Sequence, residues 1–235
     1  MKFCRRFCYN HNAMKVKFRL SLLLLGCLVV LALLAILMLY LAIRQVPAFY
    51  RETLDIPREK LVKGSDRILR QAAALESAWN TDGRWEILIT DEEINGWLAV
   101  DLEENHPDVL PPSIGDPRVA IDENEISIAC RYDHDGMKSI LSVALRPSIS
   151  ERNEIVLRIV RARAGLLPVP LGNILDQISI AARQMQFHLE WRREGDDPVA
   201  LLSLPKAKAG GRTVRIDAIR LGDGEIYIAG TSERE

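Results

Sequence analysis

The sequence predicts an α+β protein, with an N-terminal transmembrane helix followed by a curved, mainly antiparallel sheet that packs on one or two long helices. Three observations lead to this prediction. An uncharged apolar run near the N-terminus is long enough to cross a bilayer, three later segments repeat apolar residues with the period of a helix, and much of the remaining chain alternates apolar and polar residues. Helices mixed with runs of strands in this order are typical of α+β domains.

Residues 20–43 form the apolar run and contain no charged side chain. At about 1.5 Å per residue, a helix of this length crosses about 30 Å of hydrocarbon while satisfying its own backbone hydrogen bonds. Six Lys and Arg residues and no Asp or Glu precede the run, which favours a cytoplasmic N-terminus. We therefore expect a single-pass protein of the cell (inner) membrane, with residues 1–19 cytoplasmic and the C-terminal domain extracytoplasmic.

A cleaved signal peptide and a lipidation site are alternative interpretations of the same run. A signal peptide usually has an apolar core of roughly 7 to 15 residues and a small-residue cleavage site, whereas this run is longer and lacks such a site before Arg44. Residues 24–27 resemble a bacterial lipidation box, but the chain stays apolar after Cys27 instead of turning polar. An uncleaved signal-anchor is the favoured interpretation.

Charge and cysteine content restrict the partners and the redox chemistry of the domain. Without the six basic residues of the N-terminal tail, 25 Lys and Arg residues remain against 32 Asp and Glu. A net acidic domain is a poor candidate for binding nucleic acid. Cys4 and Cys8 precede the anchor and Cys27 lies within it, so Cys130 cannot form a disulfide inside the C-terminal domain. We expect Cys130 to be a small buried residue.

Beyond the anchor, residues 44–80 are predicted to form a juxtamembrane helical neck, and residues 81–235 one extracytoplasmic α+β domain. Phe49 and Tyr50 provide an aromatic exit from the span that suits the headgroup region. An amphipathic helix is predicted over residues 57–79. Its apolar stripe contains Leu61, Ile68, Ala72, Leu75 and Trp79.

A short strand over residues 85–89 and a second helix are predicted next. Thr90 and Glu93 have the spacing of a capping box, and the helix should end before Pro107. Its apolar face contains Ile94, Trp97, Leu98 and Leu102. Acidic residues also cluster here, at Glu92, Glu93, Glu103 and Glu104. Such clusters usually serve capping and solubility, so we assign them no catalytic role.

Alternating residues from Pro111 onwards predict an antiparallel meander. The predicted strands contain Val119 and Ile121, then residues 126–132, 137–145 and 155–160, separated by turns at 122–124 and 133–136 and a polar loop at 148–153. His134 lies between two aspartates, but three consecutive residues of a turn cannot all face one ion. We therefore interpret this segment as a turn and predict no metal site.

A break at residues 165–170 precedes a third helix, predicted over residues 171–187. Its broad apolar face contains Leu171, Ile174, Leu175, Ile178, Ala182 and Met185. Three strands are predicted after it, over residues 198–204, 213–221 and 225–229. The Gly-Asp-Gly sequence between the last two is a hairpin signal.

Motifs of known enzyme chemistry are absent from the sequence. It contains no Gly-rich phosphate loop, no G-x-S-x-G elbow, no H-E-x-x-H and no paired C-x-x-C, and its four histidines are scattered. We therefore predict no catalytic residues and no cofactor.

Three segments within residues 85–230 resemble small bacterial proteins that are anchored in the membrane and face away from the cytoplasm. The helix start at residues 88–98 is similar to their threonine-x-glutamate, isoleucine, asparagine, x, x, leucine pattern. The break at residues 165–170 and the closing hairpin at residues 214–230 are similar in kind. The chain thus resembles the YpmS-like proteins and, more distantly, the DUF2993-type phospholipid-binding proteins, which resemble half of a tubular lipid-binding (TULIP-like) domain.

The resemblance implies a half-barrel-like sheet wrapped around a helix, with an apolar groove able to hold acyl chains. The candidates for lining such a groove are Trp97, Leu98, Leu171, Ile174, Leu175 and Ile178. A filled core without a ligand would produce the same apolar pattern, so both interpretations stay open.

Three functions are consistent with the sequence. The first is a membrane-tethered, non-catalytic domain that binds lipid or another apolar molecule of the envelope. The second is a structural or assembly subunit that pairs with another envelope protein through its transmembrane and neck helices. The third, an envelope hydrolase, has the least support.

Overall fold

The structure is a computed structural model, and it describes residues 5–134, 136–169, 172, 175, 179, 183, 188–194, 197–203 and 212–234. The chain divides between Ile43 and Arg44 into an N-terminal and a C-terminal unit. The helices with described bounds are α1 (Arg5–Ile43), α2 (Ala48–Leu54), α3 (Arg58–Trp79), α4 (Asp91–Ala99) and α5 (Asp101–Asn105). The strands are β1 (Gly83–Thr90), β2 (Ile114–Ile121), β3 (Ile126–His134), β4 (Met137–Ile149), β5 (Ile155–Ala164), β6 (Leu167–Pro168), β7 (His188–Glu194), β8 (Asp197–Ser203), β9 (Arg212–Gly222) and β10 (Glu225–Arg234).

The N-terminal unit is the helix α1, which contains the apolar span Leu23–Ile43. Among the described residues, α1 is the one helix that is long and apolar enough to cross a membrane. The large apolar side chains of this span are exposed, which suits a lipid environment. The prediction of an N-terminal apolar helix of membrane-spanning length is therefore confirmed.

The C-terminal unit contains two antiparallel sheets. The larger sheet has the strand order β2-β3-β4-β5-β8-β7, with the short β6 also paired to β5, and the smaller sheet has the order β1-β10-β9. In the larger sheet β2 and β7 are the two ends of the described order, so these strands form no closed barrel. The predicted α+β class with a large antiparallel sheet is confirmed.

Helices α3 and α4 cross in close contact because glycines lie at the crossing point. A Cβ atom added to Gly96 would lie 2.4 Å from the carbonyl oxygen of Leu61, and one added to Gly64 would lie 2.7 Å from that of Glu92. Both neighbouring atoms belong to backbone, which cannot rotate away. Trp79 at the end of α3 packs edge-on against Trp85 of β1, with ring centroids 5.8 Å apart. Helix α3 of the predicted neck therefore packs on α4 and β1 and belongs to the same unit as the sheets.

The predicted capping box is present at the start of α4. The Thr90 hydroxyl accepts a hydrogen bond from the Glu93 amide at 3.3 Å, and the Glu93 carboxylate accepts one from the Thr90 amide at 3.0 Å. Glu93 is buried and also forms an ion pair with Arg67 of α3 at 3.1 Å. The acidic side chain thus fixes the helix start and joins α4 to α3.

Replacing Thr90 with alanine should lower the free energy of unfolding by about 1 kcal/mol, because the Glu93 amide loses its acceptor. Denaturant titration of the full-length protein in detergent micelles, followed by tryptophan fluorescence, measures this change. Thr90→Ser keeps the hydroxyl and serves as the control. An equal loss in both variants would contradict the capping role.

Two asparagine side chains occupy the edges of the sheets. Asn95 of α4 donates from Nδ2 to the carbonyl oxygen of Val119 at 2.7 Å and accepts from the Val119 amide at 2.8 Å. Asn153, in the turn between β4 and β5, binds β9 in a similar way: it donates to the Val214 carbonyl at 3.0 Å and accepts from the Ile216 amide at 2.8 Å. Strands β2 and β9 are edge strands of their sheets. On each of them, the asparagine side chain makes the hydrogen bonds that a further strand would otherwise make.

The structure differs from the sequence predictions at several places. Tyr50, expected at the headgroups, is 2% exposed and belongs to α2, a helix that the sequence analysis does not predict. The helix predicted to end before Pro107 is interrupted at Val100, with φ of −119° and ψ of −68°, and continues as the separate α5, in which Leu102 is buried. The strand β7 was not predicted. Within the predicted helix 171–187, the described residues Gly172, Leu175, Ser179 and Arg183 are helical, and the others lie outside the described residues.

Candidate apolar binding face

The strand register assigns the side chains of the large sheet to two faces. One of them, which we call the apolar face, carries almost exclusively apolar residues from β3 to β7. Its members are Ile126, Ile128, Cys130 and Tyr132 on β3, Leu141, Val143 and Leu145 on β4, Ile155, Leu157 and Ile159 on β5, Ala200 and Leu202 on β8, and Leu189 and Trp191 on β7. Alternation along each strand predicts such a face, because successive side chains point to opposite sides.

Most side chains of the apolar face are only half-buried, with Ile159 and Ala200 as the fully buried members. The opposite face of the same sheet contains a tighter cluster, in which Val199 is 0% exposed and Leu201 is 5% exposed. Burial of apolar side chains is favourable by roughly 25 cal/mol per Å². The apolar face therefore leaves part of its apolar surface exposed to solvent, and a bound molecule would cover this surface.

A helical segment is joined to the β7 end of the apolar face by a hydrogen-bonded tryptophan. Trp191 donates from Nε1 to the Ser179 hydroxyl at 2.7 Å, and that hydroxyl donates to the Leu175 carbonyl at 2.7 Å. Leu175 is half-buried and lies one helical turn before Ser179, on the same side of the helix. The predicted groove residues Leu171, Ile174 and Ile178 lie outside the described residues.

The other two predicted groove residues lie at the β2 end of the sheet. Leu98 lines a cavity of about 270 Å³, together with Leu102 and Ile114. The Trp97 ring lies 6.3 Å from that of His106, measured between centroids. In strand order, β2 and β7 are opposite ends of the sheet, so the described candidates form two groups: Trp97 and Leu98 near β2, and Leu175 near β7.

Sequence reasoning missed the part of the apolar face that β7 provides. Leu189 and Trp191 alternate with polar residues in the sequence His-Leu-Glu-Trp-Arg, which is a strand pattern. The segment is short and follows the predicted helix directly, so the helical period concealed the alternation.

Two titratable groups near the large sheet, Cys130 and Tyr50, are held in their neutral forms. Burial raises the pKa of the Cys130 thiol to about 11, so at neutral pH this thiol is protonated and a poor nucleophile. Burial and the nearby Asp116 carboxylate raise the pKa of Tyr50 to about 12, and the Tyr50 hydroxyl donates to the Asp116 carbonyl at 2.9 Å. Both groups are enclosed by the packed protein, and neither has a pKa near neutral pH that would suit acid–base chemistry.

Three of the four residues in the acidic cluster of the sequence, all but Glu103, make structural contacts. Glu93 belongs to the capping box, Glu104 pairs with Arg58 at 3.3 Å, and Glu92 lies 3.9 Å from Arg67. In the described part of the chain, no three His, Cys, Asp or Glu side chains are close enough to hold a metal ion together. The side chain of His134 lies outside that part.

Comparisons of this chain with protein-family models, with curated proteins and with solved structures found no match. The functional argument therefore depends on two features of the molecule itself: the helix α1 and the apolar face.

Proposed function

We propose that this protein is a membrane-tethered, non-catalytic domain that binds a lipid or another apolar molecule of the envelope on its apolar face. The observation that supports the proposal is the half-burial of apolar side chains on five neighbouring strands. An acyl chain is long, narrow and apolar, and it would cover such a row of side chains. The arrangement also agrees with the half-TULIP resemblance, which implies a sheet and a helix around an acyl chain.

The helix α1 gives the binding domain its location in this proposal. The basic residues before the span favour a cytoplasmic N-terminus, so the C-terminal unit would be extracytoplasmic and tethered to the cell membrane. Tethering keeps the domain near a bilayer, which is the source of lipid. The face then needs no enzymatic groups, because binding is driven by burial of apolar surface.

A structural or assembly role is the second candidate, and α3 supplies the observation that favours it. Val62 and Leu69 are exposed and lie seven residues apart, which places them on one side of the helix. A partner helix of another envelope protein would cover this side. Such a partner, recovered by cross-linking in place of a bound lipid, would favour this candidate over the first.

Photo-cross-linking with a diazirine-bearing palmitic acid tests the lipid-binding proposal. We expect the full-length protein in nanodiscs to react with this probe on β4, β5 and β7, as mapped by mass spectrometry of peptides. Leu175→Glu should reduce this labelling by roughly tenfold or more, because a carboxylate beside an acyl chain loses its hydration. Leu157→Gln, a change on the sheet itself, should reduce it as well.

The matched control is Leu88→Glu, because Leu88 is 45% exposed on β1 and belongs to the smaller sheet. This variant should label like the unchanged protein. Thermal unfolding of each variant shows whether the fold is kept. If Leu175→Glu prevents folding, Leu175 is a core residue. The labelling of Leu157→Gln then tests the lipid-binding proposal. Labelling confined to α1, or labelling that neither Leu175→Glu nor Leu157→Gln reduces, would refute the proposal.

A further inference from the structure

The face of the large sheet opposite the apolar face carries a group of arginines on β4 and β5. Arg146 and Arg158 are direct cross-strand partners, while Arg161 and Arg163 lie opposite Ala144 and Ser142. We call these four residues the basic patch. Like charges directly opposite each other on neighbouring strands destabilise a sheet, so an anionic partner would offset their repulsion.

The charges of the basic patch are only partly balanced by the protein. Arg161 forms an ion pair with Glu125 at the start of β3. Arg146 and Arg163 are exposed, and neither has an ion-pair partner within the described residues. The patch is thus a local concentration of positive charge on a domain whose overall charge is negative.

The basic patch shares a cavity with the segment that follows the membrane-spanning helix. A cavity of about 320 Å³ is lined on one side by residues 45–49 and on the other by Arg161, Arg163 and Leu166. The chain reaches at most about 3.6 Å per residue, so Gln45 lies within about 7 Å and Phe49 within about 22 Å of Ile43. The headgroup layer is about 5 to 8 Å thick on each side of a bilayer. If α1 spans the membrane, the Gln45 end of this wall therefore lies within the headgroup layer or next to it.

An exposed leucine, Leu166, lines the same cavity as Arg161 and Arg163. Gly165, with a φ of 59°, makes the tight turn between β5 and β6, and the following Leu166 is 51% exposed. An apolar side chain flanked by arginines is the pattern of interfacial membrane contacts, in which the apolar group enters the acyl boundary and the cations bind phosphates. The turn therefore has the chemistry of a membrane-docking tip.

We propose that Arg161, Arg163 and Leu166 dock the C-terminal unit on anionic lipid headgroups of the membrane that holds α1. The partner is a bilayer surface containing anionic phospholipid. Docking on this side leaves the apolar face, on the other side of the sheet, free to bind its ligand. The proposal rests on α1 as a membrane anchor and does not require ligand binding by the apolar face.

The test uses the full-length protein in nanodiscs, either of phosphatidylcholine alone or of phosphatidylcholine mixed with phosphatidylglycerol. A bimane label is attached at Leu166→Cys after the native cysteines have been replaced with alanine, and lipids carrying a spin label quench bimane when it enters the bilayer. We expect stronger quenching in the anionic nanodiscs, and a loss of the difference at high salt, because salt screens the attraction.

Variants separate a role in docking from a role in folding. Arg163→Gln should lower the ratio of docked to undocked protein by about fivefold, the factor that one arginine near an anionic surface contributes. Arg161→Gln/Arg163→Gln should lower it further, by up to about 25-fold, because Glu125 already balances part of the Arg161 charge. Arg163→Gln removes no ion pair of the described residues, so it remains informative if loss of the Arg161–Glu125 pair impairs folding. The control is Arg84→Gln/Arg220→Gln, two exposed arginines on the smaller sheet.

Equal quenching in both kinds of nanodisc, or quenching that the Arg163→Gln variant leaves unchanged, would overturn the docking proposal. Palmitic acid cross-linking on the apolar face should persist in these arginine variants. The two proposals can therefore fail separately, because one is read from the label at position 166 and the other from cross-links on β4, β5 and β7.

Discussion

Replacing Asn95 with alanine is expected to lower the free energy of unfolding of the C-terminal unit by about 3 to 5 kcal/mol. The Asn95 side chain is 0% exposed and pairs with both the amide and the carbonyl of Val119. Without it, two main-chain groups of the edge strand β2 remain buried and unpaired, at a cost of about 1 to 3 kcal/mol each. The missing side-chain volume adds to this loss.

Urea unfolding of the full-length protein in detergent micelles, monitored by tryptophan fluorescence, measures the effect. Asn95→Asp keeps the volume but loses the Nδ2 donor to the Val119 carbonyl, so it should also destabilise. Asn105→Ala is the matched control, since Asn105 is exposed and binds only Asp101 among the described hydrogen bonds. A loss for Asn95→Ala as small as that of Asn105→Ala would show that Asn95 does not stabilise the β2 edge.

Replacing Gly96 with alanine is expected to cost about 3 kcal/mol of stability, at the upper end of the usual range for overpacking. The added methyl group would lie 2.4 Å from the Leu61 carbonyl oxygen and 2.5 Å from the Ser65 amide nitrogen. Both atoms belong to the backbone of α3, so the two helices must separate to make room. Such a shift would loosen the ion pair between Arg67 and Glu93 as well.

The same unfolding titration measures the effect of Gly96→Ala. Gly172→Ala is the control, because Gly172 is also helical but its added Cβ meets no described atom within 4 Å. Alanine is a better helix former than glycine by about 1 kcal/mol, so the control should be neutral or slightly stabilising. Similar stabilities for the two variants would indicate that α3 and α4 are not in tight contact.

The parts of the fold that depend on neighbouring residues could be predicted from the sequence. Alternation predicts β3 and the starts of β4 and β5 close to their observed bounds, because one face of each strand is apolar. The structure extends β2 back to Ile114, β4 to Ile149 and β5 to Ala164, beyond the predicted residues. The capping box at Thr90 and the hairpin at Gly224, whose φ is 76°, are also local signals. Each of these features is determined by residues only a few positions apart.

The parts that depend on distant residues could not be predicted. The sequence gives no sign that β1 pairs with β10, or that the strands separate into two sheets. The role of Asn95 depends on Val119, and the role of Gly96 depends on Leu61. A polar residue or a glycine within a helix has no distinctive pattern until its partner is known.

The candidate site shows the same division. Helical periodicity predicts groove-lining residues on the apolar faces of the predicted helices. Among these residues, Leu175 is half-buried, one helical turn before the Ser179 that binds Trp191. The strands contribute most of the half-buried apolar side chains, and their common face follows from register across five strands. Whether this face holds a ligand stays a prediction, and the palmitic acid experiment addresses it directly.

The pairing of β1 with β10 also determines when the protein can complete its fold. Gly83 lies opposite Ser232 and Thr90 opposite Glu225, so β1 lacks its strand partner until residues 225–234 have been synthesised. Contacts of such long sequence separation form late, because the intervening chain must first be closed into a loop. Until then β1 is an unpaired strand with apolar side chains, and a factor that binds extended segments would have its best opportunity there.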